Sequence, residues 1–457
     1  MQRKRGARRF LFGKGLVLVG FVFLVLPHAG AHAFDFGGNL NSSTIFGTVD
    51  FYNAETLSLW LEGDIGESHE YALQGSYTFT TERPYLFDLD FLRLSGDYRL
   101  GNGTRIVTRL GRFRIADPTG YVLSHRIDGG EVAFNYPNAA VTLSAGYTGL
   151  LTKPASNITM SRLDERDRDD DDVFFAPPRL LGRADVEFPE LFAGQSLFVS
   201  AVFQEDLRES GDLISEGEDT RSLQEGGRVD TQYTTLGLRG SLTPDFFYDV
   251  FGTFETGRTL SYVEDEASGT GASYEYAPIL AFLAGTDARY YFRGSLRSYL
   301  GFRSLVSSGD SDHVTVLEGN REDASTLFRS VGESVDSLIF TPELGNLTSF
   351  ALYYSMKPLS EVVQMASLKE LQTVLEARSF LRTTTPGPVD ATGTVRSSDA
   401  AYLGSEVEVR FKYRPFSDLG FSLAGGAFFP NSASDGPFVE DERDVDFAAK
   451  LDVSFSF

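Results

Sequence analysis

The stretch Asp444-Val-Asp-Phe-Ala-Ala-Lys-Leu-Asp-Val-Ser-Phe-Ser-Phe457 decides the fold. Every odd-numbered residue from Val445 to Phe457 is apolar, and every even-numbered residue except Ala448 is polar or charged. A period of two places these sets on opposite faces of one β-strand. Such a strand fits a soluble sandwich, which covers the apolar face with a second sheet. It also fits an outer-membrane barrel, which turns that face to lipid.

Similar alternating segments recur along the chain after Phe34, with no change of composition that would mark a second domain. They predict about eighteen strands, and an even number is typical of single-chain bacterial barrels. The predicted strands lie near 39–50, 54–65, 69–81, 86–99, 104–115, 127–135, 139–149, 179–188, 195–206, 230–241, 245–257, 275–291, 295–306, 347–357, 370–382, 402–414, 419–430 and 444–457.

The connections between these strands alternate in length from residue 66 onward. Tight turns rich in Gly, Pro, Asn and Asp lie at 66–68, 100–103, 136–138, 189–194, 243–245, 292–294 and 415–418. Long loops lie at 116–126, 150–178, 207–229, 258–274, 307–346, 383–401 and 431–443. Nothing in the architecture of a soluble β-sandwich favours a regular alternation of short and long connections. The sorting therefore predicts an all-β fold, a transmembrane antiparallel β-barrel of about 18 strands with its short turns on the periplasmic side.

Two places depart from this pattern. The segment 359–372 is long for a periplasmic turn and predicts a short helix or an extended strand. The alternation also fails near Leu92–Arg93 and Gly111–Arg112, where we expect β-bulges.

The N-terminus has the features of a secretory signal peptide. Six Lys and Arg residues precede an unbroken apolar run from Leu16 to Leu26, and Ala31-His32-Ala33 offers a small-x-small cleavage site. The run is too short to cross a bilayer as a helix. We therefore expect residues 1–33 to be a signal peptide and 34–457 to form one barrel domain in the bacterial outer membrane.

Composition limits the partners. The chain holds 41 Lys and Arg, six of them before Phe34, and 64 Asp and Glu, so the part after the cleavage site would carry a formal charge of −29. Such an acidic chain is a poor partner for nucleic acid. Its C-terminus resembles the assembly signal of outer-membrane barrels. The resemblance implies two partners: outer-membrane lipid and the barrel-assembly machinery, which would recognise the C-terminal Phe457. The sequence leaves the oligomeric state open.

Nothing in the sequence predicts catalysis or a cofactor. Only His69, His125 and His313 follow the signal peptide, and no set of nucleophile, base and orienting group can be assembled around them. The chain has no Cys, which excludes thiolate metal sites. The acidic run 164–172 lacks the ligand spacing of a calcium loop, so we expect a mobile, solvated surface loop.

Strand alternation turns a set of charged side chains toward the barrel interior. A charge on the lipid face near the bilayer centre costs about 2–4 kcal/mol, so a strand arginine should face inward or lie near an interface. These residues either pair with acids and stiffen the wall or form a cationic lining that selects anions. The candidates are Arg93, Arg109, Arg112, Arg297, Arg303, Glu376, Arg378, Glu406, Glu408, Arg410 and Lys412.

The long loop 307–346 carries a second signal. Leu327, Phe328, Val331, Val335 and Leu338–Ile339 have helical spacing, which predicts a helix within 323–340. Because a helix on an exposed loop would leave this apolar stripe in water, we expect it to fold into the barrel mouth as a constriction or to pack on a neighbouring loop.

Two segments resemble the alginate-export family of outer-membrane porins. The stronger resemblance runs from Tyr402-Leu403-Gly404-Ser405-Glu406 through Tyr413 to Gly425-Gly426-Ala427-Phe428-Phe429-Pro430. A weaker one joins Gly111-Arg112 to Arg126-Ile127-Asp128-Gly129. The resemblance implies an eighteen-stranded barrel whose arginine-rich lumen passes an anionic polysaccharide, and it adds Arg126 and Asp128 to the candidate lining residues.

Together these features predict a porin-like channel for passive diffusion of small hydrophilic solutes, possibly anionic and oligosaccharide-like. The alternative is a surface-exposed adhesin or structural barrel with a closed lumen, whose function would lie in the loops 150–178 and 307–346.

Overall fold

The computed structural model describes residues 34–457, apart from 49–50, 82–85, 102, 171, 209–226, 265–271, 318–319, 321–323, 333–334, 392 and 443. The predicted signal peptide, residues 1–33, lies outside the described residues.

Eighteen strands make up the sheet. They are β1 (Phe34–Gly47), β2 (Phe51–Ile65), β3 (His69–Thr80), β4 (Leu86–Arg99), β5 (Arg105–Ala116), β6 (Ser124–Asn135), β7 (Ala140–Tyr147), β8 (Arg179–Phe192), β9 (Gln195–Asp206), β10 (Val229–Thr243), β11 (Phe246–Glu264), β12 (Ala272–Tyr291), β13 (Tyr299–Ser307), β14 (Leu347–Met356), β15 (Gln372–Arg382), β16 (Tyr402–Tyr413), β17 (Leu419–Pro430) and β18 (Asp446–Ser456). Most lie within about four residues of their predicted bounds, whereas β1 begins five residues earlier and β11 ends seven residues later than predicted.

The sheet closes into a barrel. Each strand pairs antiparallel with its neighbours in sequence, and β1 pairs with both β2 and β18. At this seam the backbone N–H groups of Gly38 and Phe457 each donate to the carbonyl of the other at 2.9 Å. The predicted eighteen-stranded barrel is confirmed.

The apolar face of each strand points away from the barrel. On β18 the side chains of Phe447, Leu451 and Phe455 are 58%, 40% and 38% exposed, and Phe457 just beyond it is 64% exposed. Backbone hydrogen bonds are satisfied between strands, so this apolar outer face can meet lipid. No helix among the described residues is long and apolar enough to cross a membrane.

Of the two predicted β-bulges, the one near Leu92–Arg93 is found close by, at Asp90, and the one at Gly111–Arg112 is wrong because the β4–β5 and β5–β6 registers run through these residues without a shift. The β3–β4 register shifts between Gln74 and Gly75, which leaves Asp90 as an extra residue on β4. Gly111 has φ +112°, and a Cβ there would lie 2.1 Å from the Leu92 carbonyl oxygen, so only glycine fits. Above the Leu92–Arg112 pair, β4 and β5 are no longer hydrogen-bonded to each other.

The acidic run is not the mobile loop that the sequence predicted. Arg162–Asp169 forms helix α1, begun by a capping box between Ser161 and Asp164. Asp164 is buried and accepts hydrogen bonds from Arg179 at 2.8 and 2.9 Å, and it also pairs with Arg208. Burial opposes ionisation, but the two guanidinium groups hold the pKa of Asp164 at about 2. These ion pairs fasten α1 to the top of β8 and β9.

The long periplasmic connection between β14 and β15 contains only a short helix, α2 (Ala366–Lys369). Of the two alternatives predicted for 359–372, the short helix is therefore the one present. Strand β15 begins after it at Gln372.

The prediction of a helix within 323–340 is wrong for those residues of the range that the structure describes. Residues 325–331 are extended, and Ser325 and Val331 form isolated bridges with Ile279 and Leu123. Backbone groups on other elements satisfy this segment, since Leu280 donates to the Ser325 carbonyl and Ser325 donates to the Pro278 carbonyl. Because these tertiary partners replace the hydrogen bonds of a helix, the apolar side chains are buried without one.

Candidate functional site

Two loops fold into the barrel and meet inside it. The first, residues 117–123, joins β5 to β6, and the second, residues 308–346, joins β13 to β14. The Val331 N–H donates to the Val122 carbonyl at 2.8 Å, and Leu123 and Val331 form a parallel bridge. In a ring of eighteen strands, β5 lies nine positions from β14, so the loops reach toward each other from opposite walls.

The side chain of Asp117 shapes the 117–123 loop. Its carboxylate accepts hydrogen bonds from the backbone N–H groups of Thr119, Val122 and Leu123 at 2.8–3.1 Å. As a result, Val122 and Leu123 point into a buried apolar core. The 308–346 loop contributes Phe328 and Val331 to the same core. The loops narrow the interior because this core fills part of it.

The 308–346 loop is fastened to the nearby strands β16 and β17 by Glu406 and Phe340. The Glu406 carboxylate accepts the backbone N–H groups of Leu338 and Phe340, each at 2.8 Å. The Phe340 ring stacks on Phe428 at 4.5 Å with an interplanar angle of 2°. Such aromatic pairs contribute about 0.5–1.5 kcal/mol beyond their buried area. The predicted folding of this loop into the barrel is confirmed, although it is not helical.

A charged strip on β12–β15 lies beside these loops. The register places Asp287 opposite Arg303 and Ala351 opposite Arg378, so the charged side chains lie in one row across the wall. Arg303 donates to Asp287 at 3.2 Å, and Arg378 donates through Nε to Glu376 at 3.1 Å. Strand alternation predicted Arg303, Glu376 and Arg378 on the interior face, where the structure places them.

The strip continues along β16 toward the periplasm. Val407 is 52% exposed on the lipid face, which places Glu406, Glu408 and Arg410 inside. Arg410 pairs with Glu408 at 2.7 Å. Lys412 lies lower on the same face and makes no ion pair or hydrogen bond to any residue in the described part of the chain.

The predicted interior position of Arg297 is wrong. The sequence placed it on β13 facing the interior, but β13 begins only at Tyr299, and Arg297 lies in the turn before it. Its guanidinium is 63% exposed and pairs with Glu370 at 3.1 Å. The turn residue Leu296 has φ +66°, a conformation that breaks the alternation on which the prediction depended.

The remaining candidates lie on a different arc, β4–β6, and are not brought to the strip on β12–β16. All of them are held in ion pairs: Arg93 with Glu70, Arg109 with Glu131, Arg112 with Asp128, and Arg126 with Asp88 and Asp90. Arg112 also donates to the carbonyls of Leu89 and Leu150. This second cluster links β4 to β5 and β6 where their backbone pairing stops.

Sequence reasoning missed Tyr121 and Asp287. Tyr121 extends from the 117–123 loop, stacks on Phe251 at 5.7 Å, and lies within electrostatic reach of Arg303 and Arg378. Burial raises the pKa of the Tyr121 phenol, so it stays neutral. Asp287 accepts hydrogen bonds from Arg289 at 2.6 Å and from Tyr353 at 3.0 Å. Alternation along β12 could have identified Asp287, whereas no local pattern marks Tyr121.

Two Ser–His pairs occur, each with a buried imidazole ring. His125 Nε2 lies 3.1 Å from Ser156 Oγ, and His313 Nε2 lies 2.8 Å from Ser325 Oγ. Both rings are shielded from solvent, and burial lowers the pKa of His313 to about 4. Ser325 is buried with its partner ring, whereas Ser156 is partly exposed. Within the described residues, no group of three or more His, Cys, Asp or Glu could hold a metal ion.

No family model matches the chain, and no curated protein sequence is significantly similar to it. Several solved structures from Pseudomonas aeruginosa are similar. OccK8 (OprE) has a TM-score of 0.56 at 11% identity, and the match covers 93% of this chain and 98% of that chain. OccK2 (OpdF), solved in complex with glucuronate, has a TM-score of 0.51 at 12% identity, with the same coverage of 93% and 98%. OpdK, solved with vanillate, has a TM-score of 0.53 at 11% identity, and again covers 93% and 98%.

The chain has the fold of the outer-membrane porins. The similarity supports that coarser assignment and does not single out the alginate-export family. The structural relatives are porin channels and not enzymes. In this barrel, the charged strip beside the two loops is the candidate functional site.

Proposed function

We propose that this protein is an outer-membrane channel for passive diffusion of small hydrophilic solutes, with a preference for small organic anions. The observation that carries the proposal is the position of Arg303 and Arg378 on the interior face, within electrostatic reach of Tyr121 on one of the two loops that narrow the barrel. Fixed charges in a narrow, poorly hydrated passage act strongly on a passing solute, whereas those on distant loops are screened by salt.

The charges on the interior face of β12–β16 support an anion preference of modest size. The cations are Arg289, Arg303, Arg378, Arg410 and Lys412, and the carboxylates are Asp287, Glu376, Glu406 and Glu408. The negative charge of Glu406 is already compensated by backbone N–H groups of the 308–346 loop. The strip therefore presents a small excess of positive charge despite the acidic composition of the whole chain.

Two similar structures were solved with small organic acids, glucuronate in OccK2 and vanillate in OpdK. The sequence resemblance of the C-terminal hairpin to alginate-export porins points in the same direction, because alginate is a polymer of sugar acids. We infer a sugar acid or another small carboxylate as the solute. Insertion in the outer membrane, by way of the barrel-assembly machinery and the C-terminal Phe457, is part of the same proposal.

The experiment is solute uptake into liposomes that contain the purified, folded protein. We expect swelling in glucuronate to exceed swelling in an uncharged sugar of similar size, such as glucose. Empty liposomes and liposomes with heat-unfolded protein are the controls. Equal swelling in both solutes would contradict the proposed anion preference. The absence of swelling in either solute would contradict the proposed channel function.

A closed structural barrel or surface adhesin is the second candidate. It is favoured by the apolar core that the two loops build inside the barrel, which includes Leu123, Phe328 and Val331. A sealed barrel would be electrically silent in a planar bilayer, whereas the proposed channel should give discrete conductance steps.

A further inference from the structure

A polar cavity of about 430 Å³ opens at the periplasmic end of the barrel. Its lining comes from the first or last few residues of β15, β16, β17 and β18 and from the middle of β1. The register aligns Gln372 with Lys412, Lys412 with Ser422, and Ser422 with Asp452. The cavity is therefore a continuous interior surface at the lower end of the charged strip, with which it shares Lys412.

Two cations in this cavity lack a counter-ion. Lys412 and Arg414 both line it, and neither forms an ion pair or hydrogen bond with another described residue. The acids nearby are already paired: Glu370 with Arg297 at 3.1 Å and also with Lys357, and Asp452 with Lys450 at 3.4 Å. Higher on the wall, Arg289, Arg303, Arg378 and Arg410 each have a carboxylate partner. This end of the lumen therefore offers uncompensated positive charge.

Neutral hydrogen-bonding groups surround the two cations. Asn41, Ser43, Ser422 and Ser454 line the same cavity and supply hydroxyl and amide donors and acceptors. Gly420 keeps the space open, because a Cβ there would lie 2.8 Å from Ser454 Oγ and 4.0 Å from Arg414 Nε. The Arg414 guanidinium and the Ser454 hydroxyl thus converge on one point of the cavity.

We propose that this cavity is a second binding site, for a polyhydroxylated monoanion of the sugar-acid class. A planar carboxylate matches the fork of the Arg414 guanidinium, and Lys412 adds a point charge. The hydroxyl groups of the sugar match the Ser and Asn side chains. The proposal rests on the proposed function for the identity of the solute, and it adds a site at the exit that is separate from the constriction formed by the inward loops.

The test is calorimetric titration of glucuronate into the folded, detergent-solubilised protein. Each of K412Q and R414Q should weaken binding about ten-fold, because each removes a charge-assisted hydrogen bond. K369Q is the matched control, since Lys369 lies in α2 outside the cavity and carries the same charge, and its affinity should equal the wild-type value. Glucose, which lacks the carboxylate, should bind far more weakly than glucuronate.

Binding of glucuronate that is unchanged in K412Q and R414Q, or absent from the wild type up to about 50 mM, would overturn the proposal. Retention of the compact band on unheated gels shows that each variant is folded. Titration does not depend on conduction, so a protein that conducts but fails this test keeps its channel function and loses the exit site. If the variants weaken glucuronate binding as expected but the protein conducts no ions, the binding site is supported and the proposed channel function is contradicted.

Discussion

The Glu406 carboxylate on β16 accepts the backbone N–H of Phe340 at 2.8 Å, which fixes the inward loop to the wall from which Glu406 projects. The N–H groups of Leu338 and Ile339 donate to the same carboxylate. One acidic side chain thus compensates three backbone donors that would otherwise be unpaired inside the barrel. An unpaired buried donor costs about 1–3 kcal/mol, so this contact stabilises the folded-in position of the loop.

Replacing Glu406 with Ala should release the 338–340 segment and enlarge the passage. We expect higher single-channel conductance and more current noise than in the wild type. Glu440 is exposed on a surface loop, so E440A is a control for the loss of one carboxylate. Unaltered conductance in E406A would mean that this part of the loop does not narrow the pore.

Arg378 and Arg297 make a matched pair for testing the charged strip. Arg378 is buried on the interior face, whereas Arg297 is exposed in a periplasmic turn. R378S removes one cation and leaves Glu376 unpaired, so the chloride-to-potassium permeability ratio should fall on the order of two-fold. R297S should leave the ratio as it is. Equal shifts in both variants would show that the strip does not determine selectivity.

The barrel seam depends on Gly37. A Cβ at this position would lie 2.5 Å from the Trp60 ring and 2.7 Å from the Phe457 carbonyl oxygen. G37A should therefore destabilise barrel closure by about 1–3 kcal/mol, the usual cost of overpacking. The measurement is the temperature at which the compact band disappears on gels. G252A is the control, because nothing lies within 4 Å of a Cβ at Gly252, and a similar shift in both variants would contradict this role of the seam.

Alkaline pH should loosen the 308–346 loop. Burial, together with the neighbouring carboxyl of Asp390, raises the pKa of Glu343 to about 8. A carboxyl whose pKa is raised in the folded state stabilises that state at low pH, and this contribution is lost as pH rises toward 8. The buried His313, with its pKa lowered to about 4, acts in the opposite direction but only below about pH 6.5.

The range from pH 6.5 to 8.5 excludes the contribution of His313, and comparison with E343Q gives the part of the change that depends on Glu343. We expect protease cleavage within the loop, or current noise, to increase across this range in the wild type and to increase less in E343Q. An increase of the same size in E343Q would assign the effect to another group.

The strands could be predicted from the sequence because their determinants are local. Each one shows its own alternation and is bounded by turn residues such as Gly66, which has φ +69°. The interior positions of Arg303 and Arg378 followed from the same alternation. The prediction for Arg297 failed because both Leu296 and Arg297 adopt a positive φ, which places them in a turn before β13 begins at Tyr299.

The interior could not be predicted because it depends on contacts between distant segments. The spacing from Leu327 to Ile339 is helical, but the Val331 backbone bonds to Val122, and Ser325 just before this segment bonds to the backbones of Pro278 and Leu280. Tyr121 reaches the charged strip only because its loop crosses from the far wall. Asp164 lies in an acidic run that looks solvated, yet Arg179 and Arg208 bury it. No local pattern specifies these partners.

The reversal potential of the intact protein in a planar bilayer, under a KCl gradient, tests the central claim most directly. The account predicts a mild preference for chloride, because the strip on β12–β16 outweighs the screened acidic loops. A potassium-selective reversal potential would show that Glu376 and Glu408 dominate the lining, and it would contradict the anionic-solute function.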